Sequence, residues 1–152
     1  MSCTRIACHF NALRERVYRA LIDPEAVAAW MVPTGMTSQV HAFDAREGGF
    51  FRISLTYDAR DAQGKTSAHT DTHHGRFVEL VTNQRVVEVV EFETEDPAMR
   101  GEMTITFSLT DVDGGTELVA VHDDVPPGVP PADNEAGWRS SLAKLARLVE
   151  AA

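Results

Sequence analysis

The sequence predicts an α+β fold: one curved antiparallel sheet of about seven strands wrapped around a long C-terminal helix, with two short helices after the first strand. Three observations predict it. The apolar residues recur every second position through most of the stretch from Ser38 to His122, the period of a half-buried strand. Glycine and asparagine turns at Gly48-Gly49, Asn83 and Gly114-Gly115 join successive strands tightly, so neighbours run antiparallel. From Pro130 to Ala152 the spacing changes to that of a helix, and no other segment is long enough to cover the apolar face of the sheet.

Each element has its own warrant. Thr4 to Phe10 reads as a first strand with Ile6 and Cys8 on one face. Asn11 is a candidate N-cap for a short helix whose apolar side is Leu13, Val17 and Leu21. Asp23-Pro24 starts a second helix, with Asp as the cap and Pro in the first turn; Val27, Trp30 and Met31 form its apolar side. Pro33-Thr34-Gly35 ends it. Val40, Ala42 and Asp44 lead into the glycine turn, after which Phe51, Ile53, Leu55 and Tyr57 alternate with polar neighbours. Asp58 to Lys65 is a polar loop, and a strand follows from Thr66 to Val81 with Phe77 and Val81 on one face. Val86 to Phe92 is apolar on both sides, so alternation leaves its inward face open. Met103, Ile105, Phe107 and Leu109 mark another strand, and Thr116 to His122 the last. In the C-terminal helix Trp138, Leu142, Leu145 and Val149 form a stripe, with Arg139, Ser140, Ser141, Lys144 and Arg147 on much of the other side.

At 152 residues the chain is expected to form one domain, residues 1–152, large enough to fold without a disulfide or metal. The formal charge of -9 argues against nucleic acid, whose phosphates need a basic face. No apolar run approaches the roughly 20 residues of a membrane span, and the N-terminus lacks the apolar core of a secretory signal. Cys3 and Cys8 would face opposite sides of one strand and do not pair, which fits a reduced, cytoplasmic setting. Monomer and homodimer both stay open.

A strongly twisted sheet around one helix leaves space between them, the natural place for a ligand. The residues expected to line it are Trp30, Met31, Phe51, Ile53, Leu55, His73, Phe77, Phe92, Phe107, His122, Trp138 and Leu142. Chemistry has weaker candidates. His69, Asp71 and His73 share a strand face and match metal ligands in type, but same-face neighbours stand about 6.5–7 Å apart along a strand while metal bonds are near 2 Å. No metal site and no cofactor is therefore expected. His122, beside Asp123 and Asp124, has the makings of a general base, and His73 shares the parity of Phe77. Glu79 and Glu88 both reach the interior if the alternation holds, where burial would raise a carboxyl's pKa. There is no nucleophile elbow, phosphate-binding glycine loop or Cys-x-x-Cys, so binding is preferred to catalysis.

These elements resemble those of the helix-grip (SRPBCC) superfamily, which includes the START lipid-transfer domains, the birch-pollen-allergen-like proteins and the polyketide cyclases. Within it the sequence is most similar to the family related to the C-terminal domain of the activator of the ninety-kilodalton heat-shock chaperone's ATPase. The residues that carry the likeness are Val17-Tyr18-Arg19-Ala20-Leu21 with Asp23-Pro24 and Trp30, Gly48-Gly49-Phe50-Phe51-Arg52, and Gly75-Arg76-Phe77-Val78-Glu79. Gly115-Thr116-Glu117-Leu118 and Asn134-Glu135-Ala136-Gly137-Trp138 continue it. The resemblance implies a small apolar or amphipathic ligand in the cavity. It implies two alternatives as well: a module that contacts a chaperone, and a cyclase or hydrolase using His73, His122 or Glu88. The eukaryotic activators carry a separate N-terminal domain that does much of the chaperone binding, and this sequence has no room for one.

Overall fold

The computed structural model describes residues 2–33, 35–57 and 70–151, Ser2 by its backbone alone. The chain runs β1 (Ser2–Phe10), α1 (Arg14–Ile22), α2 (Pro24–Trp30), β2 (Met36–Phe43), β3 (Phe50–Tyr57), β4 (Thr70–Val81), β5 (Arg85–Phe92), β6 (Met103–Val112), β7 (Gly115–Val125) and α3 (Pro131–Glu150). The expected loop at Asp58–Lys65 and the start of the following strand lie outside the described residues. One sheet holds all seven strands in the order β1-β7-β6-β5-β4-β3-β2, every pair antiparallel. Helix α3 packs against β1, α1 and α2, which is the helix-grip arrangement.

Local chemistry accounts for the helix starts. Asp23 Oδ1 accepts the backbone N–H of Glu25 at 3.1 Å and Pro24 opens α2, as a capped N-terminus requires. Helix α1 corrects the sequence reading: its cap position is Leu13, with no side-chain cap, and Leu13 is 62% exposed rather than part of the apolar stripe. Asn11 instead offers its backbone N–H to Glu150 Oε2 at 2.9 Å, tying the end of β1 to the end of α3.

Two bulges move side chains from the faces that strict alternation assigns them, because one extra residue reverses every later side chain. In β2 the register shifts between Val40 and Ala42, so Phe43 turns inward and packs edge-on to Phe77 at 5.4 Å. In β4 the shift lies between Phe77 and Glu79. Beyond it Leu80 packs on the core where Val81 was expected, and Glu79 faces outward against Arg85. The undecided face of β5 resolves through Val86, Glu88 and Val90, which are all buried.

The core is densest beneath α1 and α2. Trp30 is fully buried, donates its indole N–H to the Ala20 carbonyl at 2.8 Å, and meets Phe107 edge-to-face at 6.2 Å. Phe10, Phe77, Leu21, Leu118, Leu142 and Leu145 complete it, each worth about 1.5–3 kcal/mol on burial. Glycine at Gly75 lets β4 lie flat here: a Cβ would run into the Val89 carbonyl and the Phe51 ring. Among the described residues no helix is long and apolar enough to cross a membrane, and Cys3 and Cys8 are both free.

Candidate functional site

At the other end the sheet curves away from α3 and leaves a partly open cavity of about 740 Å³, within the range of small-molecule sites. Met31, Leu55, His73, Phe92, His122 and Trp138 line it. Trp30, Phe51, Ile53, Phe77, Phe107 and Leu142 share those inward faces but lie in the solid half of the core. Parity along a strand separates inside from outside; it carries no information about which end of the strand is filled.

The lining includes residues the sequence reading passed over. Every internal methionine of the chain, Met31, Met36, Met99 and Met103, reaches the cavity. Thioether side chains are flexible and polarisable, so they shape themselves to varied apolar guests. The roof is a stripe of small and polar residues on α3, with Asn134, Gly137, Ser140 and Ser141 at helical spacing. Ser141 is buried and Ser140 lines the cavity, although the apolar stripe of the helix places both on its outer side. Four non-initiator methionines and a run of small residues interrupting a helix stripe were the available signals.

Two loops close one side. Gly128 donates its N–H to the Ala98 carbonyl at 2.6 Å, and a Cβ at Gly128 would stand 2.5 Å from Met99 Sδ. Met99, Val125 and Val129 form a small apolar cluster there with Phe92.

His122 joins sheet to roof. Its Nδ1 accepts the Trp138 indole N–H at 3.0 Å and the Asn134 amide at 3.2 Å. Asn134 also donates to Thr4 Oγ1 at 2.9 Å. An indole N–H can only donate, so the ring proton sits on Nε2, 3.1 Å from Met103 Sδ. Burial pushes the His122 pKa down to about 4, with Asp123 pulling it up and His73 lowering it further. Strands β4 and β7 are separated by two others in the sheet, and both still contribute to the cavity wall. With one nitrogen protonated and the other accepting from Trp138 and Asn134, the His122 ring is fully engaged in holding β7 to α3.

Glu88 is 4% exposed, and burial raises its pKa to about 8. Asp71 and His73 face the cavity, whereas His69 falls outside the described residues. Among the described residues no group of three or more His, Cys, Asp or Glu side chains could hold a metal. Outside the cavity, Arg52 clamps Glu93 with two bonds of 2.8 and 2.9 Å, and His74 bridges Glu93 and Glu91 at 3.1 Å each.

Comparison with known proteins places the architecture. The family described as activator of Hsp90 ATPase homolog 1-like protein matches residues 11–150. The crystal structure of protein CV1439 from Chromobacterium violaceum is similar with a TM-score of 0.88 and 33% identity, covering 99% of this chain and 98% of that one. Protein Ms6760 from Mycobacterium smegmatis, at 18% identity and a TM-score of 0.77, covers 99% of this chain and 91% of its own and shares the fold. DynU16, a protein in the dynemicin biosynthetic locus, shares it too, with 22% identity and a TM-score of 0.68; the match covers 99% of this chain and 48% of that one. No curated protein matches the sequence.

Proposed function

Because the chain belongs to the activator of Hsp90 ATPase homolog 1-like family, whose fold grips a helix in a curved sheet, we propose that it binds a small hydrophobic or amphipathic molecule between sheet and α3. The cavity of about 740 Å³ carries this reading. Its walls are mostly apolar and thioether, and its polar groups are gathered on the α3 roof and around His73 and His122. That division suits a guest with an apolar body and one polar end. Of the twelve residues expected to line the site, Met31, Leu55, His73, Phe92, His122 and Trp138 are the ones proposed to touch it.

Native mass spectrometry of the purified protein, with amide spectra recorded against panels of lipids and aromatic compounds, tests the proposal. Retained mass and shifts clustered at Met31, Met103 and Trp138 support it. A protein that carries nothing and shifts with no panel member overturns it.

The family description favours a second reading, a module that contacts a heat-shock chaperone. It requires faster ATP turnover by the chaperone at saturating protein, and unchanged turnover removes it. Catalysis in the manner of a cyclase is a third, since DynU16 stands in a biosynthetic locus. It would have to rest on His73, Glu88 or His122, the last already accepting from Trp138 and Asn134.

A further inference from the structure

Given that the cavity takes a small amphiphile, as proposed, we infer that the guest's polar end is an uncharged carbonyl oxygen, of the ketone or ester class, held by the hydroxyl of Ser141 on α3. The observation behind this is a buried polar group with nothing to bond. Ser141 is 5% exposed and lines the cavity. Its hydroxyl makes no hydrogen bond to side chain or backbone among the described residues. A serine inside a helix ordinarily gives its O–H to a carbonyl about one turn back, and a buried hydroxyl left without a partner is destabilising.

The roof is open where Ser141 points. Helical side chains lean towards the N-terminus of their helix, so Ser141 leans over the turn that holds Gly137, four residues earlier. Gly137 has no side chain to fill that place, and a Cβ there would meet nothing nearer than Pro33 Cγ at 3.9 Å. Both residues line the cavity together with Asn134, another turn back. The other donors on this stripe are already used. Trp138 gives its indole N–H to His122, Asn134 divides its amide between His122 and Thr4, and Ser140 is engaged as well. Ser141 is thus the roof's donor for a guest lying along α3.

A hydroxyl donor selects an acceptor, and a carbonyl is the acceptor that brings no proton of its own. Among the described residues that line the cavity, none is Lys or Arg. A carboxylate or phosphate at this depth would bury its charge against a lone hydroxyl, a cost that a carbonyl avoids. The analogue lacking the oxygen is rejected too, because it leaves the serine donor unpaired.

Three ligands of one shape test this, each titrated into the full chain by amide NMR: naphthyl methyl ketone, isopropenylnaphthalene, in which a methylene replaces the ketone oxygen, and naphthoate. The ketone is expected to bind about tenfold tighter than either of the others. Its carbonyl stretch, isolated by a ¹³C label, should move to lower frequency in the complex. Ser141→Ala should remove that shift and bring ketone and hydrocarbon to within about twofold, with hydrocarbon binding unchanged. Without any ligand, Ser141→Ala should unfold at a higher temperature than the native protein, because it buries no unpaired hydroxyl. A ketone bound no tighter than the hydrocarbon overturns the inference, as does a native protein that unfolds above Ser141→Ala. The preference and the carbonyl shift in the native protein are decisive even if the variant folds poorly. Failure of all three ligands to bind removes the ligand-binding reading itself.

Discussion

The indole N–H of Trp138 on α3 donates to Nδ1 of His122 on β7 at 3.0 Å, a polar bond that joins the helix to the sheet across the cavity wall. Trp138→Phe keeps the ring and removes the donor. It should lower stability by about 1 kcal/mol and move the His122 ring nitrogens in a ¹⁵N spectrum. The pH dependence follows from the same bond. His122 has a folded pKa near 4, below the ordinary value of about 6.5, so the unfolded chain takes up the proton first. Stability should therefore fall as pH drops from about 6.5 towards 4, by on the order of 3 kcal/mol, a slope that urea titrations should find missing in His122→Gln.

Glu88 works in the opposite direction. Its folded pKa is raised to about 8, so its contribution is fully present below the unfolded value of about 4.5 and is lost as pH rises through 8. Glu88→Gln should match the native protein at pH 4 and exceed it at pH 9 by on the order of 5 kcal/mol in denaturant unfolding. Equal stability of the two proteins at pH 9 would contradict the buried, uncompensated carboxyl.

Gly137 leaves room above the cavity. A Cβ there meets nothing nearer than Pro33 Cγ at 3.9 Å. Gly137→Ala should raise stability by about 0.5–1 kcal/mol through helix propensity alone. Gly137→Leu projects into the lining and should weaken ligand binding in the mass-spectrometric assay while the amide spectrum stays folded.

On the outer face, hydrogen bonding from Arg52 holds the Glu93 pKa down to about 2, with His74 assisting. Arg52→Ala should return the Glu93 carboxyl towards the ordinary carboxylate range in a ¹³C titration. The pair is partly exposed, so the loss of stability should stay under about 1 kcal/mol.

Much of this architecture was legible in the sequence because periodicity reports burial directly. Phe51, Ile53 and Phe107 point inward as alternation requires, and Leu142, Leu145 and Val149 face the sheet as helical spacing requires. The misreadings have physical causes. Phe43, Leu80 and Glu79 follow bulges, whose extra residue leaves no mark in a pattern of apolar positions. Ser141 is inward because a helix over an empty space needs no bulk on that stripe. Trp30, Phe51, Ile53, Phe77, Phe107 and Leu142 lie in solid core rather than at the cavity, since parity along a strand does not report where the helix lifts away from the sheet. Whether Glu88 faces the interior depends on the face that β5 presents, and apolar residues on both sides of that strand leave it open until its pairing with β4 and β6 is known.

The backbone bond from Gly128 to Ala98 bears on time rather than affinity. The two loops it joins border the cavity without belonging to the sheet ladder, and their contact admits no side chain at Gly128. A guest passing that side would break this one bond while the seven strands stay paired. Exchange of the Gly128 amide with solvent deuterium then becomes a clock for the passage. Substitutions at Met99 or Val129, which line the cavity as well as form this cluster, would change both how long a molecule stays and how strongly the walls hold it.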